Sequence, residues 1–156
     1  PGPPVLSRGD KSISMTWTAP ANEGTPIQSY TIELSSEEGV QRRTVGAVTQ
    51  LSWTGLTNGV EYRARIQAKN GAKDPSDWSS LSAAAKPAGA PLAPAAPTAT
   101  RSTSAVNGGV VDVAWASEPL KNNGEPVTSY DVLVYRGGSV AKTVTGVTGT
   151  RQQVTG

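Results

Sequence analysis

A pattern that recurs about one hundred residues apart constrains this chain more than any other feature. Its first copy runs Trp17-Thr-Ala-Pro20-Ala-Asn22-Glu-Gly24-Thr-Pro26-Ile27-Gln-Ser29-Tyr30. Its second runs Trp115-Ala-Ser-Glu-Pro119-Leu-Lys-Asn122-Asn123-Gly124-Glu-Pro126-Val127-Thr-Ser129-Tyr130. In each, a tryptophan precedes a Pro/Asn/Gly loop and a Gly-x-Pro-(Ile/Val)-x-Ser-Tyr run, with a two-residue insertion in the second loop, where length normally varies. Solenoid repeats are roughly 20–50 residues long, so a period this long predicts tandem domains.

The segments around each copy carry the period of β-strands. Ile13, Met15 and Trp17 alternate with Ser12, Ser14 and Thr16, which predicts one buried and one wet face. Tyr30, Ile32 and Leu34 alternate with Thr31 and Glu33, and Tyr62, Ala64, Ile66 and Ala68 with Arg63, Arg65, Gln67 and Lys69. In the second copy Val111, Val113 and Trp115 form one such series, and Tyr130, Val132 and Val134 the next. Turn chemistry separates them at Gly9-Asp10, Glu38-Gly39, Asn58-Gly59, Asn107-Gly108-Gly109 and Gly137-Gly138. Ser80 to Lys86, just before Pro87, reads as a last strand running into a linker. The expectation is an all-β protein of two tandem domains.

Between the copies, Ala, Pro and Gly dominate, and prolines at 87, 91, 94 and 97 favour extended geometry over helix. The predicted organisation is a domain over 1–87, an Ala/Pro-rich linker over 88–96, and a second domain over 97–156. The start, Pro1-Gly2-Pro3-Pro4, has neither the charged nor the apolar region of a signal peptide, and reads as an excised piece of something longer. No apolar run approaches the roughly 18 residues that span a bilayer, so no membrane insertion is expected.

Composition removes most catalytic options. The chain has no cysteine and no histidine, which excludes thiolate chemistry and disulfides along with the commonest general base and transition-metal ligand. Its 14 basic and 12 acidic residues leave a net charge of +2, no footprint for nucleic acid. The adjacent carboxylates Glu37 and Glu38 lie at a hairpin tip facing Arg42 and Arg43, where a solvated ion pair is expected rather than acid–base work. Asp74 and Asp77 fall short of the roughly six to eight oxygens that Ca²⁺ takes. No catalytic, metal-binding or cofactor-binding residues are assigned, and the chain is not read as an enzyme.

These residues resemble tandem fibronectin type III domains. The first domain carries Trp17 on the second strand, Pro20 after it and Tyr30 on the third. Its Leu56-Thr57-Asn58-Gly59-Val60-Glu61-Tyr62 is similar to the family's Leu-x-x-Gly-x-x-Tyr corner, and Ala68-Lys69-Asn70 to its Ala-x-Asn strand end. The resemblance implies immunoglobulin-like seven-stranded β-sandwiches, with Trp17, Tyr30, Leu56 and Tyr62 in the core and tyrosine corner of the first and Trp115 and Tyr130 in the second. Arg151-Gln152-Gln153-Val154-Thr155-Gly156 aligns with Gln50 to Gly55, and the sequence stops where the corner should follow. The second sandwich is therefore expected to lack its last two strands, leaving Trp115, Val132 and Val134 partly uncovered. A strand-donating partner chain for 97–156 is one way to complete it.

Two further motifs stand out beside the resemblance. Arg8-Gly9-Asp10 spells the integrin-binding tripeptide of some family members, though here it sits between the first two strands, in a turn any such hairpin needs. Asp77-Trp78-Ser79 resembles the second half of the Trp-Ser-x-Trp-Ser box of cytokine-receptor domains, with Arg63 and Arg65 placed for cation–π contact with Trp78. The function implied is a non-catalytic spacer or protein-interaction module of a larger extracellular or surface-displayed protein, of bacterial type. Alternatives are an accessory region of a secreted glycoside hydrolase or phage virion protein, or an adhesin using Arg8-Gly9-Asp10. The implied partners are the other domains of the parent and a protein or polysaccharide ligand.

Overall fold

A computed structural model describes residues 1–22, 24–72, 74–102 and 109–155. The turn expected at Asn107-Gly108 lies outside them. The described chain is all-β, apart from one 3-10 turn at Pro119–Lys121, and divides into two compact units, Pro1–Ala90 and Pro91–Gly156.

The first unit holds β1 (Val5–Gly9), β2 (Ser12–Thr16), β3 (Ser29–Ser36), β4 (Gly39–Gly46), β5 (Gln50–Thr54) and β6 (Arg63–Lys69). They form two antiparallel sheets, ordered β1-β2-β5 and β4-β3-β6. The alternating residues face inward as their period requires: Ile13 and Met15 from β2, Tyr30, Ile32 and Leu34 from β3, and Ala64, Ile66 and Ala68 from β6 are all buried. Trp17, Trp53, Leu56 and Tyr62 complete this core of twelve buried residues. Trp17 lies one residue past β2, tied by its N–H to the Thr49 carbonyl at 3.0 Å, and packs edge-on against Tyr30 with ring centroids 5.4 Å apart.

The segment after Lys69 departs from expectation. No strand is formed over 80–86; instead residues 76–85 wind along β6, three of their residues matching two of the strand. N–H groups of Ser76, Ser79, Ser82 and Ala85 donate to the carbonyls of Ala68, Ile66, Ala64 and Tyr62 at 2.8–2.9 Å. In return the serine hydroxyls, not backbone carbonyls, accept from the N–H groups of Ala68, Ile66 and Ala64 at 2.9–3.0 Å. Each hydroxyl then donates to the carbonyl of the next residue, Asp77, Ser80 or Ala83. Every third residue is a serine, so a wound path still satisfies the edge of β6.

The second unit repeats five of those six strands: β7 (Thr98–Arg101), β8 (Val110–Ala114), β9 (Tyr130–Arg136), β10 (Ser139–Val147) and β11 (Arg151–Thr155). Their sheets, β11-β8-β7 and β10-β9, match β5-β2-β1 and β4-β3 of the first unit. Trp115 again packs edge-on against its tyrosine, Tyr130, at 5.2 Å. The β9–β10 hairpin turns on Gly137 and Gly138, whose φ values of 59° and 84° suit the two-residue turn that follows strand twist. Among the described residues nothing takes the place of β6. The unit's buried hydrophobic residues, among those described, are Val113, Val132 and Val154, while Trp115, Tyr130 and Val134 stay half-exposed.

The segment read as a linker is bonded at both ends. Ala88 donates to the Gly9 carbonyl at 3.1 Å in the first unit. In the second, Leu92 donates to the Lys121 carbonyl at 2.8 Å, and the N–H of Ala95 to the Glu118 carboxylate at 2.8 Å.

Candidate functional site

Three surfaces bear on function, and the first is built on Glu33. Cross-strand register places Arg42 of β4 and Arg65 of β6 directly opposite it, one on each side of β3. Arg42 donates to Glu33 Oε2 through Nε at 2.8 Å and Nη2 at 2.7 Å, and Arg65 Nε donates to Oε1 at 2.8 Å. Both guanidiniums lie over the half-buried Trp78, at 4.8 Å for Arg65 and 6.0 Å for Arg42. Glu33 sits on the outward face of β3, yet it is only 6% exposed because these three side chains cover it.

This arrangement replaces two expectations. Arg63 does not flank Trp78; it pairs with Glu61 at 3.1 Å and reaches the Ser82 carbonyl at 3.4 Å, and Arg42 takes the second cation position. The ion pair expected between Glu37-Glu38 and Arg42-Arg43 also gives way. Arg42 is held by Glu33, Arg43 lies 4.4 Å over the Trp53 ring, and Glu38 accepts from the hydroxyls of Thr57 and Tyr62 at 3.2 and 3.3 Å. The cause is register, since Arg42 stands opposite Glu33 and Arg43 opposite the inward-facing Ile32.

Burial raises the Glu33 pKa, but the Arg65 and Arg42 hydrogen bonds and charges outweigh it and hold the carboxyl below its ordinary value. A depressed folded pKa means the carboxylate stabilises the unit above the unfolded pKa, and that contribution fades as pH falls through the folded one. Glu33→Gln is expected to weaken the first unit by about 1–2 kcal/mol at neutral pH, less than a fully buried pair because both arginines reach water. It should also shrink the difference between urea midpoints at neutral and acid pH. An unchanged difference would assign the acid sensitivity to other carboxylates.

The second surface is the end of the β1–β2 hairpin. Arg8 and Gly9 belong to β1, paired with Ile13 and Ser12, so the two-residue loop is Asp10-Lys11, one residue beyond the expected turn. A side chain at Gly9 would bring its Cβ within 2.6 Å of Ser12 Oγ. Asp10 Oδ1 accepts from Asn58 Nδ2 at 2.7 Å, and Lys11 N–H donates to Asn58 Oδ1 at 2.7 Å, holding Lys11 at its φ of 48°. Asn58 belongs to the corner segment, where Thr57 N–H donates to the hydroxyl of the buried Tyr62 at 3.1 Å. The tripeptide is thus splayed along a hairpin whose tip is fastened to that corner.

The third surface is the open flank of the second unit. β9 pairs with β10 on one edge only, whereas its counterpart β3 pairs on both. Beside that free edge lies a cleft of about 380 Å³, lined by Pro97, Val113, Trp115, Tyr130, Val132 and Val134 among others. Leu133, Tyr135 and Val140, on β9 and β10, are 46%, 62% and 50% exposed. Among the described residues no cluster of three or more acidic side chains could hold a metal, and no helix is long and apolar enough to cross a membrane.

Sequence reasoning placed Trp78 and Arg65 together but missed Glu33, Arg42 and the three serines. The signals were available: Ser76, Ser79 and Ser82 recur every third residue, and Glu33 is the one charge on the outward face of β3.

Comparisons with known proteins bear on this architecture. The fibronectin type III domain model matches residues 2–82. A titin homolog of Caenorhabditis elegans is 36% identical over 88 residues, which take in 52% of this chain and, to the nearest per cent, 0% of that much longer protein. A two-domain fibronectin type III segment of chicken tenascin has a TM-score of 0.50 at 18% identity, covering 99% of this chain and 82% of that one. The FN1–FN3 domains of chicken CNTN1 give a TM-score of 0.49 at 21% identity, covering 100% of this chain and 56% of that one. At 18% identity the likeness to the tenascin segment is one of fold alone. These relatives are animal proteins, and the bacterial type expected from composition finds no support among them. Fibronectin type III domains are in general non-catalytic modules for protein interaction within larger proteins, and with more than half its residues matched by their model, this chain belongs to the fibronectin type III family.

Proposed function

We propose that the chain is a spacer and interaction module of a larger extracellular or surface-displayed protein, and that the open edge of β9 in its second unit accepts an added β-strand, supplied by the parent polypeptide or by a partner chain. The free edge of β9 beside the apolar cleft carries this reading. Unpaired N–H and C=O groups along a strand are a template for another chain, and pockets for alternate side chains select which chain docks. The first unit contains a template for the occupant. There β6 runs antiparallel to β3 over seven residue pairs and sends Ala64, Ile66 and Ala68 into the core. The partner strand is accordingly small, branched and small again at its inward positions. The Arg8-Gly9-Asp10 hairpin is less suited to adhesion, since Asp10 is engaged by Asn58.

A peptide with the sequence of residues 60–69 is the probe. Added to the full chain, it should slow amide exchange across Tyr130–Arg136 and leave β3 unchanged, and a scrambled peptide should do neither. Unaltered exchange in β9 at saturating soluble peptide would reject strand addition.

A further inference from the structure

Four Asn-Gly pairs occur in the chain, beginning at residues 58, 70, 107 and 123. In such a pair the glycine nitrogen can reach the asparagine side-chain carbon, because no Cβ hinders the approach. The N–Cγ bond that forms closes a five-membered imide, the Cγ–Nδ2 bond breaks, and the amide nitrogen leaves as ammonia. Water then opens the ring at either carbonyl, giving aspartate or isoaspartate. Water is the sole co-reactant, and no oxidant or reductant is needed.

The structure sets two of these pairs apart. At Asn58 every reacting group is engaged. Oδ1 accepts from Lys11 N–H at 2.7 Å, Nδ2 donates to Asp10 at 2.7 Å, and the attacking nitrogen, Gly59 N–H, donates to the Pro87 carbonyl at 2.9 Å. Reaction there requires breaking the hairpin-to-corner fastening and the Pro87 contact together. At Asn70, just past the end of β6, the carbonyl oxygen is held in the same way, but the leaving amide and the attacking nitrogen are not. Oδ1 accepts from Ala72 N–H at 2.9 Å, closing a ring of atoms through Gly71 that holds Cγ beside the glycine nitrogen. That same N–H stabilises the negative charge that builds on Oδ1 during attack. Among the described residues, neither the leaving amide of Asn70 nor the N–H of Gly71 has a hydrogen-bond partner.

We infer that Asn70 is a modification site that deamidates spontaneously in the folded protein, while the fold guards Asn58 against the same reaction. The product places a new carboxylate between Lys69 and the Asp74/Asp77 pair, in the loop leading into the serine-bearing segment. Isoaspartate also lengthens the backbone there by one methylene. The loop therefore changes charge and path with the age of the molecule, and a more acidic form accumulates.

Timed incubation of the full chain in mildly alkaline buffer, followed by peptide mapping with isoaspartate detection, tests this directly. Native Asn70 should convert at least about tenfold faster than Asn58, the scale of even a modest local restraint on opening. In concentrated urea the two rates should converge. Gly71→Ala should slow Asn70 severalfold and leave Asn58 alone; Gly71 has no left-handed φ, and a Cβ there meets Thr25 Cγ2 at 3.4 Å, an ordinary contact. Equal native rates at the two sites would overturn the assignment, as would a gap that persists in urea.

Discussion

Replacing Trp53 by alanine should lower the unfolding free energy of the first unit by about 3–5 kcal/mol, the usual cost of emptying a buried tryptophan site. Trp53 is 1% exposed and lies in β5 opposite Ile13 of β2. Its indole N–H donates to Gln41 Oε1 at 3.2 Å, and Arg43 roofs the ring at 4.4 Å. The substitution therefore leaves a cavity between the sheets, gives the exposed Gln41 acceptor over to water and removes the surface over which the Arg43 stem packs. Small domains are stable by only about 5–15 kcal/mol in total, so the loss is a large fraction of the whole. In a unit of this size about 1 kcal/mol moves Tm by roughly 4–8 °C, so a fall of more than about 12 °C is expected in a thermal melt. A drop under about 1 kcal/mol would mean the sheets close over the site. The second unit has Val154 at the equivalent place, paired with Val111, and builds its core without a tryptophan there.

That difference leads to the second expectation, a contrast in amide exchange between equivalent strands. Amides of Asp131–Tyr135 should exchange at least about a hundredfold faster than those of Thr31–Glu33, equivalent to about 2.8 kcal/mol less protection. β3 is central, hydrogen-bonded on both edges and part of a core of twelve buried side chains. β9 has one partner strand and shares a core of three buried valines, one of them its own Val132. Few buried apolar contacts and an open edge are the ingredients of low local stability. The measurement is made on a dilute monomer, so that no second chain covers the edge. Comparable rates in the two strands would show that the second unit is stable without an added strand, and would remove the physical motive for strand addition.

Most of the strand framework was legible because alternation is a local property. Ile13 and Met15, Tyr30, Ile32 and Leu34, and Ala64, Ile66 and Ala68 are buried as a period of two demands. β8 and β9 of the second unit were legible too, because the repeat let one half of the chain be read against the other. Turn positions were less secure. Gly9-Asp10 proved to be the strand end and first loop residue, with Lys11 rather than glycine taking the left-handed position. The local cue is glycine, but the Asn58 side chain, 47 residues away, holds Lys11 in that conformation.

By itself the sequence determined the all-β character, which faces turn inward and the absence of histidine and cysteine chemistry. Each follows from composition or from periodicity along a few residues. Only the tertiary structure decided which arginines meet Trp78, that an outward-facing Glu33 is buried between two of them, and that serine hydroxyls stand in for backbone carbonyls along the edge of β6. Those outcomes depend on register between strands far apart in the chain, and a shift of one residue would turn Arg42 from Glu33 to the opposite face. Alternation says which face a side chain occupies, and register alone says what stands beside it.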